Sequence, residues 1–265
     1  MARPIIALLT DFGTRDHYSG VMKGVILGIC PDVTLVDVTH DLPPHDIAFA
    51  AHELAATYKF FPAGTIFLVV VDPGVGTSRR GLAAESADRR FIAPDNGVLT
   101  AVLQEAPPKR VVELSERKYA RPTVSRTFEG RDRFAPAAAF IAKGIHLEAF
   151  GRPVTDYHQL NLPVPEWRGD DLYGQVVRID RFGNIVTNLD RRSCEKVAGA
   201  TGTLTVTIGG QSAGRLVTTF GDLAPGEIGA LFGSTDHLEC VAQSASAADR
   251  LGTTIGDVVD VRRAG

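Results

Sequence analysis

Over the first 150 residues, short apolar or β-branched runs alternate with stretches of helical spacing, and this alternation narrows the possible folds more than any other feature of the chain. Ile5 to Thr10 is an apolar run, followed by helical spacing over 17–30 with Val21, Ile26 and Leu27 on the apolar side. The β-branched run Thr34 to Thr39 precedes a second helical stretch over 46–58, with Asp46 placed as an N-cap or a first-turn acid. Gly64 to Val71 and Phe91 to Ala93 read as strands, and 97–104 and 132–143 as helices. Strands joined through helices predict a largely parallel sheet covered on both faces, in Rossmann-like layers. Beyond residue 165 the pattern changes to short β-like runs separated by Gly-rich turns, such as Gly209-Gly210 and Phe182-Gly183-Asn184. The expectation is therefore an α/β N-terminal domain over 1–163 and a small all-β barrel domain over 164–265.

Composition removes several classes of function. The 28 Lys and Arg against 31 Asp and Glu leave a net charge of -3, which argues against binding a nucleic-acid backbone. No apolar run reaches the roughly 18–20 residues of a membrane span. Cys30, Cys194 and Cys240 lie far apart with no C-x-x-C, so reduced thiols packed as small hydrophobes are expected. The N-terminal apolar run is too short for a signal-peptide core, and a cytoplasmic location is the expectation. His40, His45 and His52 lack the H-E-x-x-H spacing of a zinc helix, and no metal is expected.

Polar residues stand at four strand ends: Asp11, Thr39-His40, Asp72 and Asp95-Asn96. In open parallel sheets ligands bind beyond those ends, so their shared placement points to a polar ligand, although each alone is also a turn former or cap. Asp11 can accept two hydrogen bonds from a ribose diol, and Asp16 across the turn is either a site acid or a helix N-terminal charge. The loop Asp72-Pro-Gly-Val-Gly-Thr-Ser-Arg79-Arg80 is glycine-rich but lacks both the dinucleotide fingerprint and the Gly-Lys-Ser/Thr of a phosphate loop. Its Asp72 and Arg79 are equally readable as an ion pair bracing the loop. In Thr127-Phe-Glu129-Gly-Arg131-Asp132, Asp132 is explicable as a cap with Arg131 as partner, whereas Glu129 has no ready structural explanation. Asp180-Arg181-Phe182-Gly183-Asn184 is either a hairpin turn or a polar pair around an aromatic that stacks on a base. Gly233-Ser234-Thr235-Asp236 is either a turn or a carboxylate-binding nest.

The segments LLTDFG (8–13), MKGVI (22–26), VDVTHDLPPHD (36–46), FPAGTIFLVVVDPGVGTSRR (61–80), IAPDNGVL (92–99), TFEGRDRFAPAAA (127–139) and DRFGNIVTN (180–188) run in order through most of the chain. Together they resemble the S-adenosyl-L-methionine hydroxide adenosyltransferase family, the S-adenosylmethionine hydrolases related to fluorinating and chlorinating enzymes. The resemblance implies an α/β domain followed by a β-barrel, a homotrimer with sites at subunit interfaces, S-adenosyl-L-methionine as substrate and no cofactor. Carried over by position, it implies that Asp11 holds the ribose hydroxyls and that Asp16 and Asp180 face the methionine ammonium, with Ser234 near the carboxylate. It places Asn184 and the backbone near Ser244 on the adenine, with Phe182 and Phe220 on its two faces. Asp72 and Arg79 match two of three residues that organise the water. The third is a His in the family and Glu129 here, and an Arg of the halogenating relatives is Thr235 here.

This implies hydrolysis to adenosine and methionine, with Asp72, Arg79 and Glu129 positioning the nucleophilic water. Halide transfer is the nearest alternative. It is disfavoured by the anion at Asp72, where halogenating relatives carry an aromatic residue, and by the short segment 81–90, where the fluorinating relatives carry a long insertion. A non-catalytic sensor of adenosine or S-adenosylmethionine is the alternative of another class.

Overall fold

The computed structural model describes residues 3–199 and 202–264. The chain divides into two units, Met1–Leu162 and Pro163–Gly265.

The first unit is built on a six-stranded sheet. In chain order its elements are β1 (Ile5–Thr10), α1 (Tyr18–Ile29), β2 (Thr34–Thr39), α2 (Ile47–Thr57), β3 (Ile66–Val70), β4 (Gly81–Ser86), β5 (Arg89–Pro94), α3 (Thr100–Glu105), β6 (Arg110–Glu113) and α4 (Ala135–Ala142). The strand order is β2-β1-β3-β5-β4-β6, and only β4 runs against its neighbours. Alternation along the strands sends side chains to two separate cores. Ile6, Leu8 and Leu68 join Met22 and Ile26 of α1 and the alanines of α4 on one face. Ala7, Leu9 and Phe67 join Leu54 of α2 and Val102 of α3 on the other. Strands buried on both faces explain the unbroken apolar runs of β1 and β3. Asp46 caps α2 as expected, accepting the Phe49 N–H at 2.8 Å, a contact that contributes about 1 kcal/mol at such positions.

Two strands of this sheet were not expected. β4 (GLAAES) carries no β-branched residue, so its composition gives no strand signal. It forms a tight hairpin with β5, the two-residue turn being Ala87-Asp88, both with positive φ. Asn-Gly would have announced this turn, and Ala-Asp does not. β6 is four residues long, too short to show a period.

Chain order also fixes where this unit opens. β1 pairs in parallel with β2 on one side and β3 on the other. The connection through α1 covers one face of the sheet and that through α2 covers the other. The carboxyl ends of β1 and β3 therefore diverge around a crevice, the usual ligand position in such sheets.

The second unit holds β7 (Glu166–Arg168), β8 (Asp171–Ile179), β9 (Ile185–Asp190), α5 (Arg191–Ala198), β10 (Leu204–Ile208), β11 (Gln211–Ser212), β12 (Arg215–Leu216), β13 (Ile228–Phe232), β14 (His237–Ala242), α6 (Ala247–Leu251) and β15 (Val258–Arg263). Its sheet runs β11-β10-β15-β8-β9-β14-β13-β12 as an open path, with β7 on β8, and curls into a half-barrel. The expected all-β barrel is thus found only as a half-barrel, and the unit is not all-β, since it contains the helices α5 and α6. Each begins at a side-chain cap: Asp190 accepts from the Ser193 N–H, and Ser246 from the Asp249 N–H. The capping Asp followed by Cys194 and Val197 three residues apart was the signal available for α5.

All three cysteines are free and buried, and burial pushes the Cys194 and Cys240 thiols up to about 12, which keeps them unreactive. Among the described residues, no helix is long and apolar enough to cross a membrane.

Candidate active site

A cleft of about 330 Å³ opens where β1 and β3 end. Its lining includes Asp11, Phe12, Tyr18, His45, Asp72 and Glu129. Three of its lining residues are carboxylates and, among the described residues, none is Lys or Arg. It is thus an acidic cleft with aromatic walls, suited to a cation carrying apolar and hydroxyl-bearing parts.

Asp72, Arg79 and Glu129 form one cluster. The Arg79 guanidinium donates to both oxygens of Asp72, from Nε to Oδ1 at 2.8 Å and from Nη2 to Oδ2. Arg79 Nη2 also lies 2.8 Å from Glu129 Oε2, without hydrogen-bond geometry, so Oε2 is buried, attracted to a cation and served by no directed donor. Arg133 stands 3.7 Å from the other Glu129 oxygen. Phe134 lies beneath Arg79, its ring centre 5.2 Å from the guanidinium carbon. Side-chain exposures of 5% for Asp72, 9% for Arg79 and 11% for Glu129 put the cluster largely beyond solvent screening. Burial pushes the Asp72 carboxyl up, Arg79 pulls it down, the nearby Glu129 charge adds to the rise, and the balance lies above the ordinary 3.8.

Two features fix this cluster. Glu129 enters the cleft from a π-helical turn, Gly130–Phe134, that leads into α4. The turn is secured by Asp132, which is fully buried and accepts from Arg131 at 2.6 and 2.7 Å, from the Ser125 N–H at 2.9 Å and from Arg121 at 3.0 Å. Burial pushes the Asp132 carboxyl up, but these donors outweigh it and hold the group below its ordinary value. Arg131 is its partner as expected, while the expected helix cap is instead a brace across the 121–132 loop. The second feature is Gly76, at φ +79°, whose missing Cβ lets the 72–79 loop pack onto the Arg126 carbonyl. Arg126 returns a bond from Nη2 to the Gly76 carbonyl at 3.0 Å. Gly76→Ala is expected to destabilise the protein by about 2 kcal/mol or more, because both the backbone angle and the contact are lost. Urea denaturation checks this, and an unchanged midpoint would refute the locking role.

The other site candidates divide. Asp11 lies in the cleft, and its Oδ2 accepts the His45 N–H at 2.9 Å. His45 has φ +68°, an uncommon angle for a non-glycine residue that no residue type around it announces. Asp16 is exposed and is not part of the cleft lining. Asp95 and Asn96 have structural roles: Asp95 accepts from Arg80 and the His158 N–H, and Asn96 donates to the Val71 carbonyl.

In the second unit, Asp180 accepts from the Phe182 and Asn184 N–H groups and from the Asn184 side-chain amide. This turn leaves Phe182 76% exposed and Asn184 buried. Gly183, at φ +80°, packs against Ser246 at the start of α6, where no Cβ would fit. Phe220 is 41% exposed in a short 3₁₀ turn. Ser234 and Ser244 are exposed in turns, Ser244 with φ +56°. Among the described residues, no group of three or more His, Cys, Asp or Glu is arranged to hold a metal ion.

An acidic cleft at the switch point of an α/β sheet, followed by a curled β unit, places the molecule in a defined class. The chain belongs to the SAM hydroxide adenosyltransferase family, whose N-terminal domain model matches residues 6–151 and whose C-terminal domain model matches 174–260. Among particular relatives, it is 37% identical to an (R)-S-adenosyl-L-methionine hydrolase of Salinispora tropica, over 96% of each chain. It is 37% identical to a protein of the same name from Thermus thermophilus, over 96% of this chain and 97% of that one, and 33% identical to a fluorinase of Nocardia brasiliensis, over 98% and 97%. An uncharacterized conserved protein of Thermotoga maritima has the same fold, with a TM-score of 0.92 and 35% identity over 97% of this chain and all of that one.

Proposed function

We propose that the protein hydrolyses S-adenosyl-L-methionine to adenosine and L-methionine, by attack of water at the ribose C5′. The observation that carries this reading is the Glu129 carboxylate in the lining of an acidic cleft, beside the Asp72–Arg79 pair. Water placed there forms the C5′–O bond as the C5′–S bond breaks. The electron pair goes to sulfur, so methionine leaves as a neutral thioether. The Glu129 carboxylate takes the proton that water releases. Arg79 aligns Asp72 and limits the repulsion between the two carboxylates, and Asp72 orients the water from the other side. Partial desolvation of the water at about 3 Å from C5′ contributes further.

Asp11 holds the ribose diol in this reading. Asp16, Asp180 and Ser234 as the methionine end, Phe182, Asn184, Phe220 and Ser244 as the adenine end, and assembly as a homotrimer all rest on the family likeness. No cofactor is required by the chemistry. Halide transfer is disfavoured because the three lining carboxylates oppose entry of an anion. Turnover in ¹⁸O-labelled water tests the reading, since hydrolysis at C5′ places solvent oxygen in adenosine. Unlabelled adenosine, or binding without turnover, would overturn it.

A further inference from the structure

A buried histidine stands one layer behind the cleft. His40 follows β2, is 5% exposed and engages both ring nitrogens: Nε2 lies 3.0 Å from Asp37 Oδ1, and Nδ1 lies 2.8 Å from Thr10 Oγ1. Asp37 also accepts from Lys23 Nζ at 2.6 Å. Burial pushes the Asp37 carboxyl up, but Lys23 and His40 outweigh it and keep the group below its ordinary value. An ionised Asp37 only accepts, so Nε2 carries the hydrogen. In the neutral imidazole Nδ1 is then an acceptor, and the Thr10 hydroxyl donates to it. A Thr10 Oγ1 lone pair is left for the Phe12 N–H at 3.3 Å.

That last bond closes a turn around Asp11. The His40 carbonyl independently accepts the Gly13 N–H at 2.7 Å. Both sides of the Asp11-Phe12-Gly13 turn therefore hang on one residue of the neighbouring strand end. Thr10 is fully buried, and a valine would fill its space as well, so what the hydroxyl adds is this link.

We propose that His40 is a positioning residue, which through Thr10 Oγ1 and its own carbonyl holds the Asp11 turn so that Asp11 presents its carboxylate to the ribose diol. This rests on the ribose assignment of Asp11 made above. His45 fixes one carboxylate oxygen from the far side, and His40 fixes the backbone from which the carboxylate projects.

Calorimetric titration of the full-length protein with adenosine and with 2′,3′-dideoxyadenosine tests it. The unaltered protein is expected to prefer adenosine by on the order of 10- to 100-fold, the range for hydrogen bonds to a charged group. Asp11→Asn should bring that preference to within about threefold. Thr10→Val and His40→Ala should lower it at least about fivefold, while dideoxyadenosine affinity stays within about twofold. His40→Asn, whose amide oxygen can replace Nδ1 as acceptor, should keep it. Equal weakening of both nucleosides in the Thr10 and His40 variants would mark a merely structural role and overturn the proposal. Preference lost in Asp11→Asn but intact in Thr10→Val and His40→Ala would overturn it and leave the ribose assignment standing. Preference intact in Asp11→Asn would overturn both. If His40→Ala does not fold, Thr10→Val, which keeps the packed shape, decides the matter.

Discussion

Asp72→Asn is expected to lower kcat about 100-fold or more, with adenosine affinity changed less than about threefold. The substitution keeps size and removes charge. It also removes one of the two bonds that join Arg79 to residue 72. Arg79 Nη2 already stands 2.8 Å from Glu129 Oε2, so the released guanidinium turns further onto that carboxylate and weakens it as a proton acceptor. Glu129→Gln removes the acceptor directly and should cost a similar factor. The two effects pass through one carboxylate, and the double variant should be no slower than the slower single by more than about threefold. Steady-state kinetics of the three variants, with nucleoside titration alongside, measures this. Additive losses would refute the shared acceptor, and an unchanged kcat in Asp72→Asn would refute the cluster as the site of chemistry.

Arg79→Met is expected to cost about 3–5 kcal/mol of stability at pH 7.5, because it strands the largely buried Asp72 without its cation and leaves Glu129 only the more distant Arg133. The loss should depend on pH in a defined direction. The folded-state value of Asp72 already lies above the 3.8 of the unfolded chain. Its ionised form therefore costs the folded state stability above that raised value, and the cost disappears as pH falls through it toward 3.8. Without Arg79 the value rises further, since the cause that lowers it is gone and the Glu129 charge remains. Urea denaturation at pH 7.5 and 5.5 should find the variant's deficit markedly smaller at the lower pH. A deficit equal at both values would show that the loss arises from packing over Phe134 instead.

What the sequence disclosed follows from how each element signals itself. β1, β2 and α2 were legible because apolar runs, β-branched residues and a capping Asp46 report local preference directly. β4 was hidden because its strand state comes from pairing on both sides, with β5 and β6, rather than from its own Ala-rich composition. α5 was hidden by a neighbourhood of strands, although Asp190 marked its start. In the site, Asp11 and Asp72 followed from their place at strand ends, and Glu129 from having no structural excuse. Asp16 lies outside the cleft lining, since a residue beyond a tight turn is not held to the strand end that precedes it. The link from His40 to Thr10 joins neighbouring strand ends across 30 positions, and only the register of β1 against β2 brings them together.

The π turn divides two duties between residues three positions apart. Asp132 is the frame: its bonds hold the backbone, and it has no exposed surface. Glu129 is the reagent in the proposed reaction: it lines the cleft and supports none of the turn's shape through a directed side-chain bond. A change of reagent at 129 leaves the frame intact, so the chemistry at this point of the chain is interchangeable in a way that the architecture beneath it is not.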